Sequence, residues 1–170
     1  MMPGYANWGV GFDLDRFPMD ITDNGHTNSR TVSVYGISWF MEKEWATSGL
    51  GLKVGLGQSQ TVDAGYSSNV WFIHLPITAY YKYKVTPRFH LYGGAGVSYF
   101  FVETDVTDNI VKDLALHLQG GAEWYAQPWW SLGLRLNTTS DANVNKRSGS
   151  FRREVDMSGF SWGLFTKIYF

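Results

Sequence analysis

The chain closes on the segment Phe160-Ser161-Trp162-Gly163-Leu164-Phe165-Thr166-Lys167-Ile168-Tyr169-Phe170, and two sets of side chains alternate along it. One set is almost entirely apolar and consists of Phe160, Trp162, Leu164, Thr166, Ile168 and Phe170. The other set consists of Ser161, Gly163, Phe165, Lys167 and Tyr169. A period of two is typical of a β-strand whose two faces meet different surroundings. The segment therefore predicts a strand with one apolar face and one mixed face.

The same alternation recurs along the rest of the chain. It predicts seven earlier strands at about 5–15, 30–41, 49–57, 71–83, 89–101, 114–125 and 130–137. Each is close to the length that a tilted strand needs to cross a bilayer, and the connections alternate between long and short. The predicted fold is therefore all-β: a transmembrane, eight-stranded, antiparallel up-and-down β-barrel with short periplasmic turns and long extracellular loops.

The second strand has the least clear faces. We assign Tyr35, Ile37, Trp39 and Met41 outward, which leaves Val32, Val34, Gly36 and Ser38 inward. The segment after it, 42–47, is predicted to be a short connection.

Composition agrees with a membrane barrel. The chain has 170 residues, 17% of them aromatic, with 19 glycines and no cysteine. Mean hydropathy is only −0.20, as expected where lipid-facing and lumen-facing residues cancel. A net charge of −1 gives no basic field for nucleic acid. We assign residues 1–4 to leader or cloning sequence and residues 5–170 to one barrel domain.

A soluble, lipocalin-like barrel is the alternative fold. It would place the apolar rows inside and the mixed rows in water. The inward lysines, glutamate and arginine would then be exposed, and the rows of leucine and tryptophan would have to fill the bore. Most glycines fall in the mixed rows, which favours a membrane barrel with a narrow, filled interior.

Taken together, the strands resemble the small eight-stranded bacterial outer-membrane β-barrels, such as the OmpA transmembrane domain, OmpX and Ail, and more loosely OmpW. The last strand resembles their C-terminal signature, with Phe160, Trp162, Leu164, Ile168 and Phe170 as the residues that carry it. The resemblance implies location in the bacterial outer membrane, contact with its lipid and with lipopolysaccharide, insertion by the barrel assembly machinery, and a monomer.

Charged residues of the inward rows predict an ion network in the lumen, formed by Lys53, Lys82, Glu123, Arg135 and Lys167, with Asp13 and Asp15 also facing inward. Glu123 is expected to pair with Arg135 on the adjacent strand, or with one of the three lysines. Such a network either gates an ion path or simply fills the bore. We favour the second interpretation, because a bore of this size is normally packed.

Neither a metal site nor a catalytic site is predicted. His74, His90 and His117 point inward but fall at different distances from the turns, whereas three ligands must meet one ion. Lipid A deacylases of this architecture use a His-x-Ser pair, and strand seven ends in Asn137-Thr138-Thr139-Ser140-Asp141 with no such histidine. His26 with Ser29 is interpreted as loop polarity. We expect no cofactor.

Pro76 falls in the middle of the fourth strand, where it removes one ladder hydrogen bond. It predicts a local bulge or a weak seam in the wall.

The loop predicted at 138–155 is basic and carries Lys146, Arg147, Arg152 and Arg153, which we interpret as a binding surface for lipopolysaccharide phosphates or an acidic extracellular ligand. The predicted function is a non-enzymatic envelope protein that acts through its extracellular loops in adhesion, lipopolysaccharide contact or membrane integrity. A small channel or transporter for ions or hydrophobic molecules is the alternative, and a lipid A-modifying enzyme is disfavoured.

Overall fold

The computed structural model of the chain describes residues 8–23, 30–45, 48–60, 70–104, 107–140, 143–148 and 151–170. Its strands are β1 (Trp8–Asp23), β2 (Arg30–Trp45), β3 (Leu50–Gln60), β4 (Val70–Lys84), β5 (Phe89–Thr104), β6 (Thr107–Gln127), β7 (Trp130–Ser140), β8 (Asn143–Ser148), β9 (Phe151–Asp156) and β10 (Gly159–Tyr169). Within these ranges no helix has the length and hydropathy that a membrane span requires.

Strands β1 to β7 and β10 form a closed barrel. Each of β1 to β7 pairs antiparallel with the next strand of this set, and β10 pairs with both β7 and β1. The closing register runs from Gly9 opposite Tyr169 to Arg16 opposite Trp162. Beyond it, the N–H of Phe170 donates to the Trp8 carbonyl at 3.1 Å. The predicted eight-stranded antiparallel barrel is confirmed.

Much of the loop predicted at 138–155 is paired β-strand in the structure. β7 continues to Ser140, and β8 and β9 then form a hairpin whose second strand pairs with β1, from Asp20 opposite Asp156 to Asp23 opposite Arg153. These segments have no regular alternation of apolar and polar residues, so a period of two does not predict them as strands. Strand pairing still satisfies their backbone hydrogen bonds.

The wall is apolar outside and polar inside. Trp39 is 65% exposed on the outer surface, whereas Glu123 is completely buried in the bore. The outward rows also include Leu114, Leu116 and Leu118, and the buried set includes Lys53, Lys82, Arg135 and Lys167. This arrangement is the reverse of a water-soluble barrel, so the lipocalin-like alternative is wrong.

Small and large residues alternate across the lumen. A Cβ added to Gly51 would overlap the ring of Tyr80, and one added to Gly133 would overlap the ring of Phe165. Inward glycines therefore leave the space into which neighbouring aromatic rings extend, and the narrow bore is filled by side chains.

Pro76 interrupts one ladder without shifting its register. Between β3 and β4 the pairing reaches Val54 opposite Ile77 and resumes at Gly57 opposite His74, with the same offset on both sides. The bulge predicted at Pro76 therefore does not form between the described parts of β3 and β4. Pro76 still pairs with Ser98 of β5, so its nitrogen, which carries no proton, faces β3. A Cβ at Gly55 would lie 2.9 Å from the Pro76 ring, so glycine makes room for it.

Candidate functional site

The first of two ionic groups in the bore is the glutamate cluster, defined as Glu42, Glu123, Lys82, Lys167 and Tyr169. Lys82 Nζ lies 3.1 Å from Glu123 Oε2 and 3.7 Å from Glu42 Oε1. Lys167 Nζ lies 3.3 Å from Glu123 Oε2 and 3.0 Å from Glu42 Oε2. Each lysine thus bridges both carboxylates, and the Tyr169 hydroxyl lies 2.6 Å from Glu123 Oε1 and 3.0 Å from Glu42 Oε1.

The second group is the aspartate cluster, defined as Asp13, Asp15, Lys53 and Arg135. The Arg135 guanidinium donates one hydrogen bond to Asp13, at 2.7 Å, and another to Asp15. Lys53 Nζ lies 3.4 Å from Asp13 Oδ2. A Cβ at Gly163, which separates Arg135 from Asp15 across the strands, would overlap the Asp15 carboxylate. Glycine at this position therefore leaves the space that the ion pair occupies.

Aromatic rings separate the two clusters. We call Phe40, Tyr80, Tyr92 and Phe165 the aromatic layer; its successive ring centroids are 6.4 Å apart for Phe40 and Phe165, 6.0 Å for Phe165 and Tyr92, and 6.5 Å for Tyr92 and Tyr80. Lys53 Nζ lies 3.9 Å from the centroid of Phe40, and Lys167 Nζ lies 5.7 Å from it. Phe40 is therefore in contact with a cation from each cluster. The two charged clusters, with the aromatic layer between them, fill the bore.

The predicted network residues are divided between these clusters. Glu123 pairs with Lys82 and Lys167, whereas Arg135 and Lys53 pair with aspartates, so the expected contact between Glu123 and Arg135 is not formed. Glu42 was not predicted as part of the network, because residues 42–47 were assigned to a connection. Continuing the inward row Val34, Gly36, Ser38 would have placed Phe40 and Glu42 in the lumen.

The three inward histidines do not meet. His117 forms hydrogen bonds with Thr78 Oγ1 at 2.8 Å and Ser98 Oγ at 2.9 Å, and with His74 it borders a small cavity of about 30 Å³. His90 instead packs on Tyr125, at a centroid distance of 4.6 Å. The described ranges contain no group of three side chains suited to hold a metal ion. His26 and Ser29 lie outside the described residues.

A polar, filled bore inside an apolar wall is the arrangement that a bilayer-spanning β-barrel requires. The sequence profile of the outer membrane protein β-barrel domain matches residues 4–163. The chain belongs to this family. It is a protein of the bacterial outer membrane.

Solved structures of the outer-membrane β-barrel fold cover nearly the whole chain. Neisserial surface protein A has a TM-score of 0.68 at 14% identity, over 98% of this chain and 99% of its own. AlkL, solved in DMPC bilayers, has a TM-score of 0.60 at 15% identity, and the match covers 100% of this chain and 93% of AlkL. Ail of Yersinia pestis has a TM-score of 0.57 at 13% identity, over 99% and 100%, and is also solved with the heparin analogue sucrose octasulfate. No curated protein sequence matches the chain.

The four basic residues predicted as a binding surface are brought together on the hairpin of β8 and β9. Lys146 lies opposite Arg153, and Arg147 lies opposite Arg152. Their side chains lie outside the described part of the chain. Arg153 also lies opposite Asp23 of β1. Like charges placed directly opposite each other on paired strands are destabilising, so the unfavourable pair is Arg147 with Arg152.

The residues that resemble the C-terminal signature of this outer-membrane family all lie on the outer wall. The side chains exposed on this outer surface are those of Phe160, Trp162, Leu164, Ile168 and Phe170. The resemblance rather than the folded geometry connects them with assembly.

Proposed function

We propose that the protein is a non-enzymatic outer-membrane barrel that acts through its extracellular surface and binds phosphorylated or sulfated carbohydrate, the chemistry of lipopolysaccharide. The observation that carries this proposal is the filled bore. Because the two ion clusters and the aromatic layer occupy the lumen, the surfaces left for a partner are the outer wall and the extracellular extensions of the strands.

The β8–β9 hairpin supplies a surface of suitable charge. Two pairs of basic residues sit directly opposite each other on its strands, Lys146 with Arg153 and Arg147 with Arg152. A phosphate or sulfate group bound at Arg147 and Arg152 would offset their like charge and form charge-assisted hydrogen bonds. Ail, named for attachment and invasion, offers a parallel, since a barrel of the same fold holds a sulfated sugar.

Binding of purified lipopolysaccharide to the protein in detergent tests the proposal. Replacing Lys146, Arg147, Arg152 and Arg153 with glutamine should weaken binding at least tenfold, because about 1 kcal/mol is contributed by each basic residue near an anionic surface. The wild-type affinity should also fall as salt is added. The matched control is Arg88→Gln, an exposed cation in the tight turn between β4 and β5. Equal binding by the fourfold variant and the wild type would contradict the proposal.

A narrow channel or transporter for ions or small apolar molecules is the second candidate, and the interrupted ladder at Pro76 favours it. Planar-bilayer conductance and uptake of a small apolar solute into vesicles distinguish the two. A filled bore predicts background values for the wild type. Conductance or uptake that changes in Arg135→Ala or Pro76→Ala would favour transport.

The proposed function includes no enzymatic modification of lipid A. Mass spectra of lipid A should therefore be the same from outer membranes with and without the protein. A gained or lost acyl chain would replace the proposal with an enzymatic one.

A further inference from the structure

The outer wall is not uniformly convex: a groove of about 750 Å³ crosses β10, β1, β2 and β3. Two outward rows border it. The row nearer the short turns consists of Ile168, Val10, Met41 and Val54, and the row farther from them consists of Thr166, Phe12, Trp39 and Leu56. The groove is as large as a typical small-molecule site, about 300–1,000 Å³.

The shape of the groove follows from the residues along it. The floor of the groove is formed by the backbone of Gly11, Phe40 and Gly55. The side chain of Phe40 points into the lumen, and the two glycines have none. The Phe12 and Trp39 rings pack edge to face with centroids 5.2 Å apart and form a raised side. At its β3 end the groove reaches Leu56 and Leu75, over the ladder that Pro76 interrupts.

A positive charge lies beside the groove on the side of the short turns. Lys43 is opposite Trp8 and Leu52, in the row next to Val10, Met41 and Val54. Its Nζ lies 5.0 Å from the centroid of the Trp8 ring. In this family the short turns are periplasmic, so Lys43 and Trp8 lie at the headgroup level of the inner leaflet.

We propose that this groove and Lys43 bind one phospholipid of the periplasmic leaflet, with an acyl chain along the groove and the headgroup phosphate on the Lys43 ammonium. The apolar lining matches an acyl chain, and the adjacent cation matches the phosphate at the depth where headgroups lie. The site is on the opposite side of the membrane from the extracellular surface of the proposed function, so neither proposal depends on the other.

A second copy of the chain fits the groove less well. In a two-fold dimer the same patch meets itself, so groove would face groove and leave a void between the walls. A void loses the dispersion contacts of its lining, whereas a flexible acyl chain fills it.

Native mass spectrometry of the protein in detergent, titrated with dioleoylphosphatidylglycerol, tests the site. The first lipid should bind more tightly to the wild type than later ones. Lys43→Glu should weaken that first step at least fivefold, since about 1 kcal/mol is expected per basic residue at a lipid surface. Val54→Trp, which fills the groove, should abolish the preference.

Two controls match these variants. Arg88→Glu removes a rim cation in a turn away from the groove, and Leu116→Trp enlarges an outward residue of β6 that is 62% exposed. Both should keep the tight first step. Lys43 lies outside the bore, so Lys43→Glu remains informative if Val54→Trp fails to fold. The proposal is overturned if Lys43→Glu binds like the wild type, if the controls lose the lipid equally, or if the wild type forms a dimer that Val54→Trp dissociates.

Discussion

Lys82 Nζ lies 3.1 Å from Glu123 Oε2 and joins β4 to β6, two strands that are not neighbours in the sheet. Lys167 in turn joins β10 to β2 and β6 through Glu42 and Glu123. The glutamate cluster therefore ties the wall across its diameter as well as around its circumference.

Removing Glu123 should destabilise the barrel strongly. Glu123→Ala leaves Lys82 and Lys167 with fewer carboxylates in a buried site, and breaking a buried ion pair in this way costs about 3–5 kcal/mol. Denaturant unfolding in detergent or lipid measures the loss. In a double-mutant cycle with Lys82→Met the two effects should be non-additive. The control cycle uses Lys84→Met, an exposed lysine at the end of β4, and should be additive. Additivity in both cycles would contradict the cluster.

Filling a lumenal glycine should also destabilise the barrel. In Gly51→Leu the new side chain overlaps the ring of Tyr80, and such overpacking costs about 1–3 kcal/mol. Gly93→Leu is the matched control, because a Cβ there faces outward, and its nearest atom in the structure is the Gln119 carbonyl oxygen at 4.0 Å. The unfolding free energy should fall in the first variant and stay within about 0.5 kcal/mol in the second. Equal losses would mean that the bore has room beside Tyr80.

Restoring a backbone donor at position 76 should repair the interrupted ladder. Pro76→Ala supplies an N–H that faces the Gly55 carbonyl, and one net hydrogen bond contributes about 0.5–1.5 kcal/mol. Hydrogen exchange provides the measurement: the new amide at position 76 in Pro76→Ala should be protected from exchange like its neighbours in β4.

The control for that experiment is Pro87→Ala, in the exposed tight turn after β4, where the new amide at position 87 should exchange rapidly. An equally rapid exchange at position 76 in Pro76→Ala would show that the nitrogen of Pro76 does not face β3.

Phe170 should matter for assembly more than for the stability of the folded barrel. Its side chain is 65% exposed, and its hydrogen bond to Trp8 comes from the backbone. Phe170→Ser should therefore fold normally from denaturant into lipid, yet reach the outer membrane of cells in severalfold lower amount. Trp129→Ser, another exposed aromatic residue on the turn side, serves as the control. Equal amounts of Phe170→Ser and wild type in cells would argue against an assembly signal.

The fold could be predicted where one face meets lipid and the other meets the lumen. In β3, Leu50, Leu52, Val54 and Leu56 alternate with inward residues without exception, and the structure exposes all four. The bilayer imposes this period, because each outward position in the hydrocarbon must be apolar.

The prediction failed at the ends of strands and in segments that do not face lipid. Glu42 was assigned to a connection since a carboxylate near a turn usually faces water, and only the closed lumen makes it an ion-pair partner. The β8–β9 hairpin lies in a polar segment, and strand pairing there follows from the neighbouring β1 rather than from periodicity. Ion pairs such as Arg135 with Asp15, which lie on either side of β10, depend on barrel closure and are not encoded in any one strand.

Pairing of β1 with β10 also determines when the barrel can close. Strand β1 is hydrogen-bonded on one edge to β10, so the wall cannot be sealed before β10 has been synthesised. Contacts of such long sequence separation make folding slow. Until β10 pairs with β1, both strands present an unpaired edge, and unpaired strand edges are prone to aggregate. The interval before closure is therefore the stage at which the chain is most exposed to aggregation.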